Sequence, residues 1–321
     1  MINSNNFNLM SSNISLSLSK EMQIPYFLLM RLIGTAPHRY KCYTIPKRSD
    51  PNKVRHIAQP AREIKSLQRW VTQEVLSNFP VHSVAHAYEN NSSIRKNAEQ
   101  HAKNRYLLKM DFKDFFSSII PDDFLAIASK KTEINEHDLY FLKQILFYKN
   151  IDSNKLVLSI GAPSSPKISN IVMYDFDEKL TSYCRERNIV YTRYADDLAF
   201  STEKENILIN CEKFISELCD TMESPRLCIN EQKTVHSSKK RMRRVTGLIL
   251  TNDGNVSLGR DRKRLIKAVL HNYKCGKIQN KNELNKLRGW LAFAKDAEPC
   301  FWERLNNKYS KEIKFLMKMS F

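Results

Sequence analysis

The sequence lacks the cysteine pattern of a disulfide-stapled or zinc-binding protein. Its seven cysteines are scattered along the chain, and no two of them form a Cys-x-x-Cys pair. An odd number of dispersed thiols is typical of a protein kept in a reducing compartment. This argues against the small disulfide-rich class and predicts a cytoplasmic location.

Segments that direct a chain to a membrane are also missing. No apolar run approaches the roughly 20 residues that span a bilayer. The first 20 residues are polar and rich in Ser and Asn, without the basic start and apolar stretch of a secretion signal. We therefore expect no signal peptide and no membrane partner. Internal repeats and low-complexity blocks are absent as well.

Negative charge is scarce towards the end of the chain. The 321 residues carry a net charge of +18, and the last 89 hold 22 Lys and Arg against 7 Asp and Glu. A phosphate-bearing polymer is the natural partner of such a field. The alternative is a solvated basic surface that only aids solubility. With 42% hydrophobic and 27% charged residues, the chain otherwise fits a globular protein of two or three subdomains.

Hydrophobic periodicity and turn residues predict an α+β protein with a basic helical C-terminal part. We expect a loose arm over residues 1–20 and a short helix from Lys20 to Leu32. Strands are predicted at 40–46, 54–59, 106–110, 190–194, 198–201, near 227–230 and at 244–250. Longer helices are predicted at 62–79, 121–130, 136–148, 167–187, 204–220, 261–273, 282–294 and 301–317.

Two adjacent aspartates stand between apolar β-forming residues in Tyr191-Thr-Arg-Tyr-Ala-Asp-Asp-Leu-Ala-Phe-Ser201. Asp196 and Asp197 repel each other and both need solvation, so a strand–turn–strand is an unfavourable place for the pair. A divalent cation removes that conflict, and Mg²⁺ binds through a few carboxylates together with substrate phosphates. The segment therefore predicts a phosphoryl-transfer site on a β-hairpin.

A third carboxylate, Asp111, ends the apolar strand in Leu107-Leu-Lys-Met-Asp-Phe-Lys-Asp-Phe-Phe116. Three carboxylates from two segments could hold two cations ~4 Å apart, one activating a 3′-hydroxyl and one stabilising the leaving pyrophosphate. Alternatively, Asp111 caps a turn or helix start. Neighbouring strand residues face opposite sides, so Asp197 is expected to bind less directly than Asp196. Asp114 is expected to be a surface or capping residue.

Tyr-Ala-Asp-Asp at 194–197, with Asp111 upstream, resembles the palm of reverse transcriptases. The resemblance to this family covers roughly residues 30–320. The resemblance implies a right-hand polymerase with fingers, an antiparallel palm sheet and a helical basic thumb. It implies metal binding by Asp111, Asp196 and Asp197 to two Mg²⁺ ions, and it matches Lys233 to a lysine that protonates the leaving group. The alternative for Lys233 is phosphate binding or simple solvation. The implied domains are an N-terminal arm and helix at 1–30, fingers at 31–105, a palm at 106–240 with a fingers insertion at about 120–165, and the palm end and thumb at 241–321.

Other blocks resemble the nucleotide-binding parts of that family. Lys53-Val-Arg-His-Ile57 and Pro60-Ala-Arg-Glu-Ile-Lys65 resemble the fingers hairpin, and Gly161-Ala-Pro-Ser-Ser-Pro-Lys167 resembles the loop that contacts template and nucleotide. Phe116 matches an aromatic residue that excludes a ribose 2′-hydroxyl; otherwise it is a core residue, as we expect for Phe115. The implied nucleotide-binding residues are Lys53, Arg55, Phe116, Gly161, Ala162 and Pro163. The alternatives are a surface charge for Arg55 and an ordinary capping loop at 161–167.

One departure concerns the residues before this loop. Related enzymes carry Pro-Gln-Gly where this chain has Ser159-Ile160-Gly161. Ile160 cannot form the hydrogen bonds of the glutamine, so we expect altered nucleotide affinity or fidelity rather than loss of activity.

Two elements resemble the bacterial retron branch of the family: Asn97-Ala-Glu-Gln-His101 and Val245-Thr-Gly247. With the basic thumb helices they imply the RNA-binding residues Asn97, His101, Val245, Thr246, Gly247, Arg262, Arg264, Lys267 and Arg288. His101 alternatively has a structural role, and Thr246-Gly247 alternatively marks a strand with a close backbone approach. Trp290 and Phe293 are expected in the thumb core.

The resemblance implies copying of a structured non-coding RNA into single-stranded DNA from dNTPs. It further implies a guanosine 2′-hydroxyl as primer, a branched RNA–DNA product, an effector protein as partner, a bacterial cytoplasmic location and a role in antiphage defence. No ribonuclease H domain is expected beyond the thumb. The rivals are a group II intron or diversity-generating reverse transcriptase, an RNA-dependent RNA polymerase, and a catalytically silent RNA-binding scaffold or antitoxin.

Overall fold

The computed structural model describes residues 13–47, 50–131, 134–278 and 280–318. Its strands, in chain order, are β1 (Tyr40–Lys47), β2 (Asp50–Pro60), β3 (Tyr106–Asp111), β4 (Tyr148–Lys149), β5 (Leu156–Val157), β6 (Val190–Tyr194), β7 (Asp197–Thr202), β8 (Val235–Ser238), β9 (Arg243–Val245), β10 (Leu248–Leu250) and β11 (Val256–Ser257).

The α-helices of the same residues are α1 (Ile14–Glu21), α2 (Tyr26–Thr35), α3 (Arg62–Trp70), α4 (Ile94–His101), α5 (Phe115–Ser118), α6 (Pro121–Lys131), α7 (Glu136–Leu146), α8 (Ser165–Val172), α9 (Tyr174–Glu186), α10 (Ile207–Thr221), α11 (Arg260–Lys274), α12 (Lys281–Ala297), α13 (Pro299–Lys308) and α14 (Ser310–Lys318). None of the described helices is both long and apolar enough to cross a membrane.

The described residues divide into two compact units, each built from three separate stretches of chain. The first unit takes those within Met1–Tyr88, Phe112–Ser182 and Lys213–Asn230. The second takes those within Glu89–Asp111, Tyr183–Glu212 and Glu231–Phe321. The four domain ranges expected from the sequence stay predictions, since they describe polymerase subdomains rather than compact units.

The first unit contains a long antiparallel hairpin, in which β1 pairs with β2 from Tyr40 opposite Pro60 to Pro46 opposite Val54. The predicted helix over 62–79 follows as α3, continued by a π-helical turn and a 3₁₀ turn to Asn78. The spacing of apolar residues in this helix predicted its buried face correctly. Buried Gln68 donates hydrogen bonds to the Tyr40 hydroxyl and the Ile145 carbonyl, which join α3 to β1 and α7.

Two expectations near the start of the chain were wrong. Part of the expected loose arm is helical, because Asn13 caps α1 by accepting from the Leu16 amide and Asp138 accepts from the Ile14 amide. The remainder of that arm lies outside the described residues. The expected helix from Lys20 instead begins after Pro25 and runs to Thr35, since proline is tolerated before the first turn but not inside a helix.

Two further expectations in this unit were wrong. The single helix predicted over 167–187 is broken at Met173, whose ψ of 0° ends α8, and no Gly or Pro marks that break. The strand predicted near 227–230 is one isolated bridge between Ile229 and Phe112. The Lys113 amide, next along the chain, donates to the Cys228 carbonyl instead of to a continuing ladder.

The second unit is built on a four-stranded sheet in the order β6-β7-β3-β8, with every neighbouring pair antiparallel. The predicted strands at 106–110, 190–194 and 198–201 are confirmed as β3, β6 and β7. Edge strand β8 was not predicted, because Val-His-Ser-Ser at 235–238 has a weak pattern and is half to fully exposed. Helix α4, also unpredicted, packs against β6.

The strand predicted over 244–250 is in fact a tight hairpin. Strands β9 and β10 pair Val245 opposite Leu248, and the two residues between them, Thr246 and Gly247, have φ angles of 45° and 82°. Positive φ at both central positions is the geometry that reverses a two-residue hairpin. A single strand was predicted because the apolar residues on both sides of the turn look like one continuous apolar run in the sequence.

Helices α11–α14 form the basic C-terminal part around an apolar core that includes Leu287, Leu291, Phe301 and Leu305. Trp290 and Phe293 are partly buried against this core, as expected. The helix predicted over 301–317 is divided at Tyr309, whose φ of −130° and ψ of 36° end α13. This part of the chain therefore holds four helices rather than three.

Arg243 is a buried cation that ties β9 to the loop after α4. Its guanidinium is 1% exposed and donates to the carbonyls of Ala102, Asn104 and Thr251. Burial lowers the pKa of this side chain. Three backbone carbonyls depend on it for their hydrogen bonds.

We expect Arg243→Met to lower the free energy of unfolding by about 2–4 kcal/mol, because buried carbonyls would lose their donors. Chemical denaturation measures this change. Arg244→Met is the matched control, since its side chain is exposed one residue further along. An Arg243 variant as stable as that control would contradict the assignment.

Candidate active site

Strand pairing in the second unit places two carboxylates opposite each other. In the β3–β7 ladder the last pair is Asp111 with Asp197. Residues directly opposite in an antiparallel pair project from the same face, a few ångströms apart. Asp196 occupies the turn just before Asp197, so carboxylates from two distant segments meet at one end of the sheet. The ladder therefore puts Asp197, which the sequence favoured less than Asp196, on the Asp111 face.

A strained turn carries Asp196. The β6–β7 hairpin closes with Tyr194 opposite Asp197, leaving only Ala195 and Asp196 between the strands. Ala195 has a φ of 58°, the left-handed region that non-glycine residues rarely occupy. The guanidinium of Arg193, which is 0% exposed, donates to the Ala195 carbonyl at 3.2 Å. Strain of this kind concentrates at functional sites, where surrounding contacts enforce it.

The carboxylate cluster raises the pKa of one of its members. The pKa of Asp197 is raised to about 7, first because surrounding protein limits its hydration and then because Asp196 and Asp111 add negative charge. Lys109 and Lys233 act in the opposite direction. The Asp197 residue remains exposed to solvent. Each carboxylate raises the cost of ionising the next, and a cation would relieve that cost.

A lysine already neutralises one of these carboxylates. The Lys233 ammonium donates to Asp111 Oδ1 at 2.7 Å. The Asp111 side chain is 8% exposed and that of Lys233 is 55% exposed. Lys233 ends a 3₁₀ turn from Glu231 that precedes β8. The structure thus brings the four predicted catalytic residues to one place. Asp111 lies beside Asp197 and Lys233, and Asp196 is next to Asp197 in the chain.

The donor set fits a hard divalent cation. Carboxylate oxygens are the ligands that Mg²⁺ and Mn²⁺ prefer, and excess negative charge is what such an ion offsets. In the part of the chain that the structure describes, no three His, Cys, Asp or Glu side chains already enclose a metal position. Asp111 is instead bound to the Lys233 ammonium. An ion here would bind Asp111, Asp196 and Asp197, with substrate phosphates completing its shell.

The predicted nucleotide-binding residues lie in the first unit. Lys53 and Arg55 are exposed on β2, with Arg55 opposite Ile45. The Ala58 amide of the same strand donates to the Ile160 carbonyl at 3.0 Å, which fixes the loop before α8 against the hairpin. Gly161 is required there, because its φ is 129° and a Cβ would lie 3.0 Å from the Ala58 carbonyl oxygen.

The loop after Gly161 is compact. Ala162 is buried and Pro163 half-buried, and helix α8 begins at Ser165 with Pro166 in its first turn, two residues before the predicted start. The side chain of Ile160, where related enzymes carry glutamine, is 38% exposed. An apolar side chain thus takes up surface where a hydrogen-bonding group was expected.

Phe115 is a core residue, as predicted, whereas Phe116 is half-buried. The two rings meet edge to face at 5.5 Å, and Phe115 also stacks on Phe112. Phe116 therefore packs partly against a core ring and keeps part of its surface exposed. Asp114 is exposed and precedes α5, but its side chain makes no capping hydrogen bond, so the surface alternative fits it.

The predicted RNA-binding residues fall into exposed and buried groups. Arg262, Arg264 and Lys267 are exposed on α11, and Arg288 is half-buried on α12. The Arg262 guanidinium lies over the Phe293 ring at 5.2 Å. In the hairpin of β9 and β10, Val245 is buried, Thr246 is half-buried and donates to the Ile94 carbonyl, and Gly247 is exposed.

Asn97 and His101 are not on the surface. Asn97 is 1% exposed and His101 is 0% exposed. Burial disfavours the direct RNA contact that the sequence led us to expect for them, and it favours the structural alternative for His101. Arg193, which supports the turn, was missed altogether. A charged residue inside the apolar strand Val190–Tyr194 was the signal that could have identified it.

Comparison with known proteins identifies the family to which this chain belongs. A family model described as "Reverse transcriptase (RNA-dependent DNA polymerase)" matches residues 45–250. This chain belongs to the reverse transcriptase family, and its α+β fold is that of the right-hand polymerases. Its activity is RNA-directed DNA polymerisation, and enzymes of this family use divalent metal ions.

Curated relatives narrow the class to the retron reverse transcriptases. The chain is 41% identical to Retron Ec83 reverse transcriptase of Escherichia coli, over 97% of this chain and 99% of that protein. It is 33% identical to Retron Ec86 reverse transcriptase of the same organism, over 92% and 88% respectively. Retron Ec73 reverse transcriptase of Escherichia coli is 36% identical over 85% and 90%. The retron resemblance inferred from the sequence is thereby confirmed.

We expect Asp197→Asn to stabilise the metal-free protein at neutral and higher pH. An aspartate ionises near pH 4 in an unfolded chain, whereas folding raises the pKa of Asp197 to about 7. The folded protein therefore binds the extra proton between these values and loses stability as pH rises through them. The asparagine side chain removes this loss.

Thermal melts in EDTA measure the effect. The variant should melt above wild type at pH 8, and the difference should shrink as pH falls towards 4. Asp114→Asn, which removes one charge from an exposed carboxylate, is the control. A variant that melts below wild type at pH 8 would contradict the raised pKa of Asp197 on which this prediction depends.

Proposed function

We propose that the enzyme copies part of a cognate structured RNA into single-stranded DNA at Asp111, Asp196 and Asp197. The observation that carries this proposal is the register of β3 and β7, which sets Asp111 opposite Asp197 beside Asp196. The partners are that RNA, dNTPs and the resulting RNA–DNA product. Two Mg²⁺ ions bound by the three carboxylates would activate the attacking hydroxyl and stabilise negative charge on the phosphates.

Each addition joins a hydroxyl oxygen of the growing end to the α-phosphorus of a dNTP and releases pyrophosphate. The chain's own residues orient the reactants. Asp111, Asp196 and Asp197 would hold the divalent ions that position the reacting phosphate, while Lys53 and Arg55 on β2 bind the triphosphate through their cationic groups. Gly161, Ala162 and Pro163 provide a close backbone surface for the base pair. Lys233, now on Asp111, gives a proton to the departing pyrophosphate.

Priming distinguishes a retron enzyme from other members of the family. We propose that the first nucleotide is added to a guanosine 2′-hydroxyl of the same RNA, which leaves a branched RNA–DNA molecule. Thr246, Gly247, Arg262, Arg264, Lys267 and Arg288 hold the RNA, while buried Val245 acts through the hairpin that carries Thr246 and Gly247. The support is the identity to three retron relatives over most of each chain. A bacterial cytoplasmic location, an effector partner and a role in antiphage defence complete this proposal.

Purification with bound nucleic acid tests the priming step. The protein isolated from its host should carry a DNA whose 5′ end stays attached to one ribonucleotide after ribonuclease digestion, and a 2′–5′ debranching enzyme should release it. Protein carrying the Asp196→Asn substitution should retain RNA alone. DNA with a free 5′ end would favour a group II intron or diversity-generating type of priming instead.

We expect Asp111→Asn or Asp196→Asn to reduce DNA synthesis at least about 100-fold, because metal-assisted stabilisation of phosphoryl transfer is worth several kcal/mol. RNA binding should survive, because these residues do not bind the RNA backbone. Primer extension and filter binding measure the two properties. Asp114→Asn, three residues from Asp111, is the matched control and should stay active. Equal activity of wild type and Asp196→Asn would support a silent scaffold.

We expect Phe116→Ala to admit ribonucleotides, with the dNTP-over-rNTP ratio of kcat/KM falling at least about 10-fold. A bulky ring discriminates because the extra hydroxyl would clash with it, and removing the ring opens that space. Phe116→Tyr retains the bulk and should retain the discrimination. Single-nucleotide incorporation measures both variants. An unchanged ratio in Phe116→Ala would remove this residue from sugar selection.

A further inference from the structure

A buried polar cluster lies behind the carboxylate hairpin, in the same unit. His101 at the end of α4 has its Nδ1 2.7 Å from Ser201 Oγ and its Nε2 2.7 Å from Thr192 Oγ1. All three side chains are at most 3% exposed. The Asn104 amide adds a hydrogen bond to Ser201 Oγ at 2.8 Å. Both ring nitrogens of the histidine thus bind hydroxyls.

The two hydroxyls belong to the two strands that carry the aspartates. Thr192 lies in β6, four residues before Asp196, and Ser201 lies in β7, four residues after Asp197. They are not paired with each other in the ladder, where Val190 stands opposite Ser201. The imidazole therefore bridges β6 and β7 diagonally, and it adds a side-chain link to the backbone ladder that already pairs the two strands.

The cluster is chemically self-consistent. A neutral imidazole offers one N–H donor and one acceptor, and a hydroxyl can serve as either partner. Buried polar groups are tolerated when every partner is present, and removal of one leaves the others unsatisfied. The three side chains consequently form one unit in which each depends on the others.

Helix α4 is itself firmly held, so the histidine has a fixed base. Ser93 caps the helix by accepting from the Lys96 amide at 3.2 Å, and Ala98 and Ala102 lie in the core of the unit. At its first turn, the Ile94 carbonyl accepts from the Thr246 hydroxyl at 3.1 Å. A helix fixed at both ends can set the position of strands that are attached to its last residue.

We propose that His101 is a positioning residue that holds the β6–β7 hairpin, and hence Asp196 and Asp197, in register with Asp111. The proposal rests on the function proposed above for those carboxylates. Displacement of reacting groups by about 1 Å costs on the order of 100-fold in rate. The bridge prevents such displacement, and the Asn97–His101 element acts through the hairpin rather than by touching RNA.

Thr192→Val tests the bridge without altering His101, because valine keeps the shape and removes the hydroxyl. We expect kcat for dNTP addition to fall about 10- to 100-fold, with KM for dNTP and Kd for RNA within about twofold of wild type. Thr192→Ser, which keeps the hydroxyl and loses a methyl group, should retain most of kcat. This pair stays informative if His101 variants fail to fold.

The matched control is Thr202→Val. Its buried hydroxyl donates to the Asn188 carbonyl from the neighbouring position of β7 and does not bind His101. This variant should lose stability but keep kcat when assayed well below its melting temperature. Equal losses of kcat in Thr192→Val and Thr202→Val would overturn the proposal, because general weakening of the sheet would then explain both.

Mn²⁺ binding gives a readout that does not depend on activity. In titrations followed by electron paramagnetic resonance, Thr192→Val and His101→Phe should each weaken Mn²⁺ binding several-fold, and the double variant should be little worse than either alone. Unchanged Mn²⁺ affinity, or additive effects, would overturn the proposal. So would a His101→Phe variant that loses RNA affinity while keeping kcat at saturating RNA.

Asp196→Asn separates this inference from the function on which it rests. If Asp196→Asn is inactive and Thr192→Val is fully active, the positioning role fails and the proposed active site stands. If Asp196→Asn remains active, the proposed site itself fails, whatever the His101 and Thr192 variants show.

Discussion

The antiparallel pairing of β3 with β7 is the constraint on which the site depends. It joins segments nearly 90 residues apart and ends with Asp111 opposite Asp197. A slip of one residue would turn one carboxylate to the other face of the sheet. Apolar residues pack along both strands in the observed register, where Leu107, Leu108, Leu198 and Phe200 are all buried. The chemistry of the carboxylates is thereby fixed by the packing of residues that take no part in it.

Clustering like charges opposes folding, and the second unit contains several devices that offset it. Lys233 neutralises Asp111 across a 2.7 Å ion pair, and Arg193 supports the left-handed Ala195 in the turn. His101 connects the strands behind that turn. The exposed cations Arg262, Arg264 and Lys267 of α11 belong to the same unit and suit a negatively charged polymer.

The sequence predicted the hairpin that carries Asp196 and Asp197, the retron family and most long helices, because each has a strong local signal. Alternating apolar residues define β3, β6 and β7, and adjacent aspartates mark the turn. It failed where the deciding interaction is distant in the chain. The helix after Asn13 is held partly by Asp138, which accepts from the Ile14 amide. A local failure is the turn at 246–247, where two residues adopt positive φ. Burial of Asn97 and His101 depends on how α4 packs against β6, which a linear motif does not reveal. Edge strand β8 carries too few apolar residues to be recognised alone.

The most direct measurement is anomalous diffraction from crystals of the enzyme soaked with Mn²⁺ and a non-hydrolysable dNTP. The account predicts manganese bound to the oxygens of Asp111, Asp196 and Asp197, with the Lys233 ammonium displaced from Asp111 and the triphosphate completing the shell. Manganese held elsewhere, with the Lys233–Asp111 ion pair intact and the hairpin carboxylates unliganded, would contradict it.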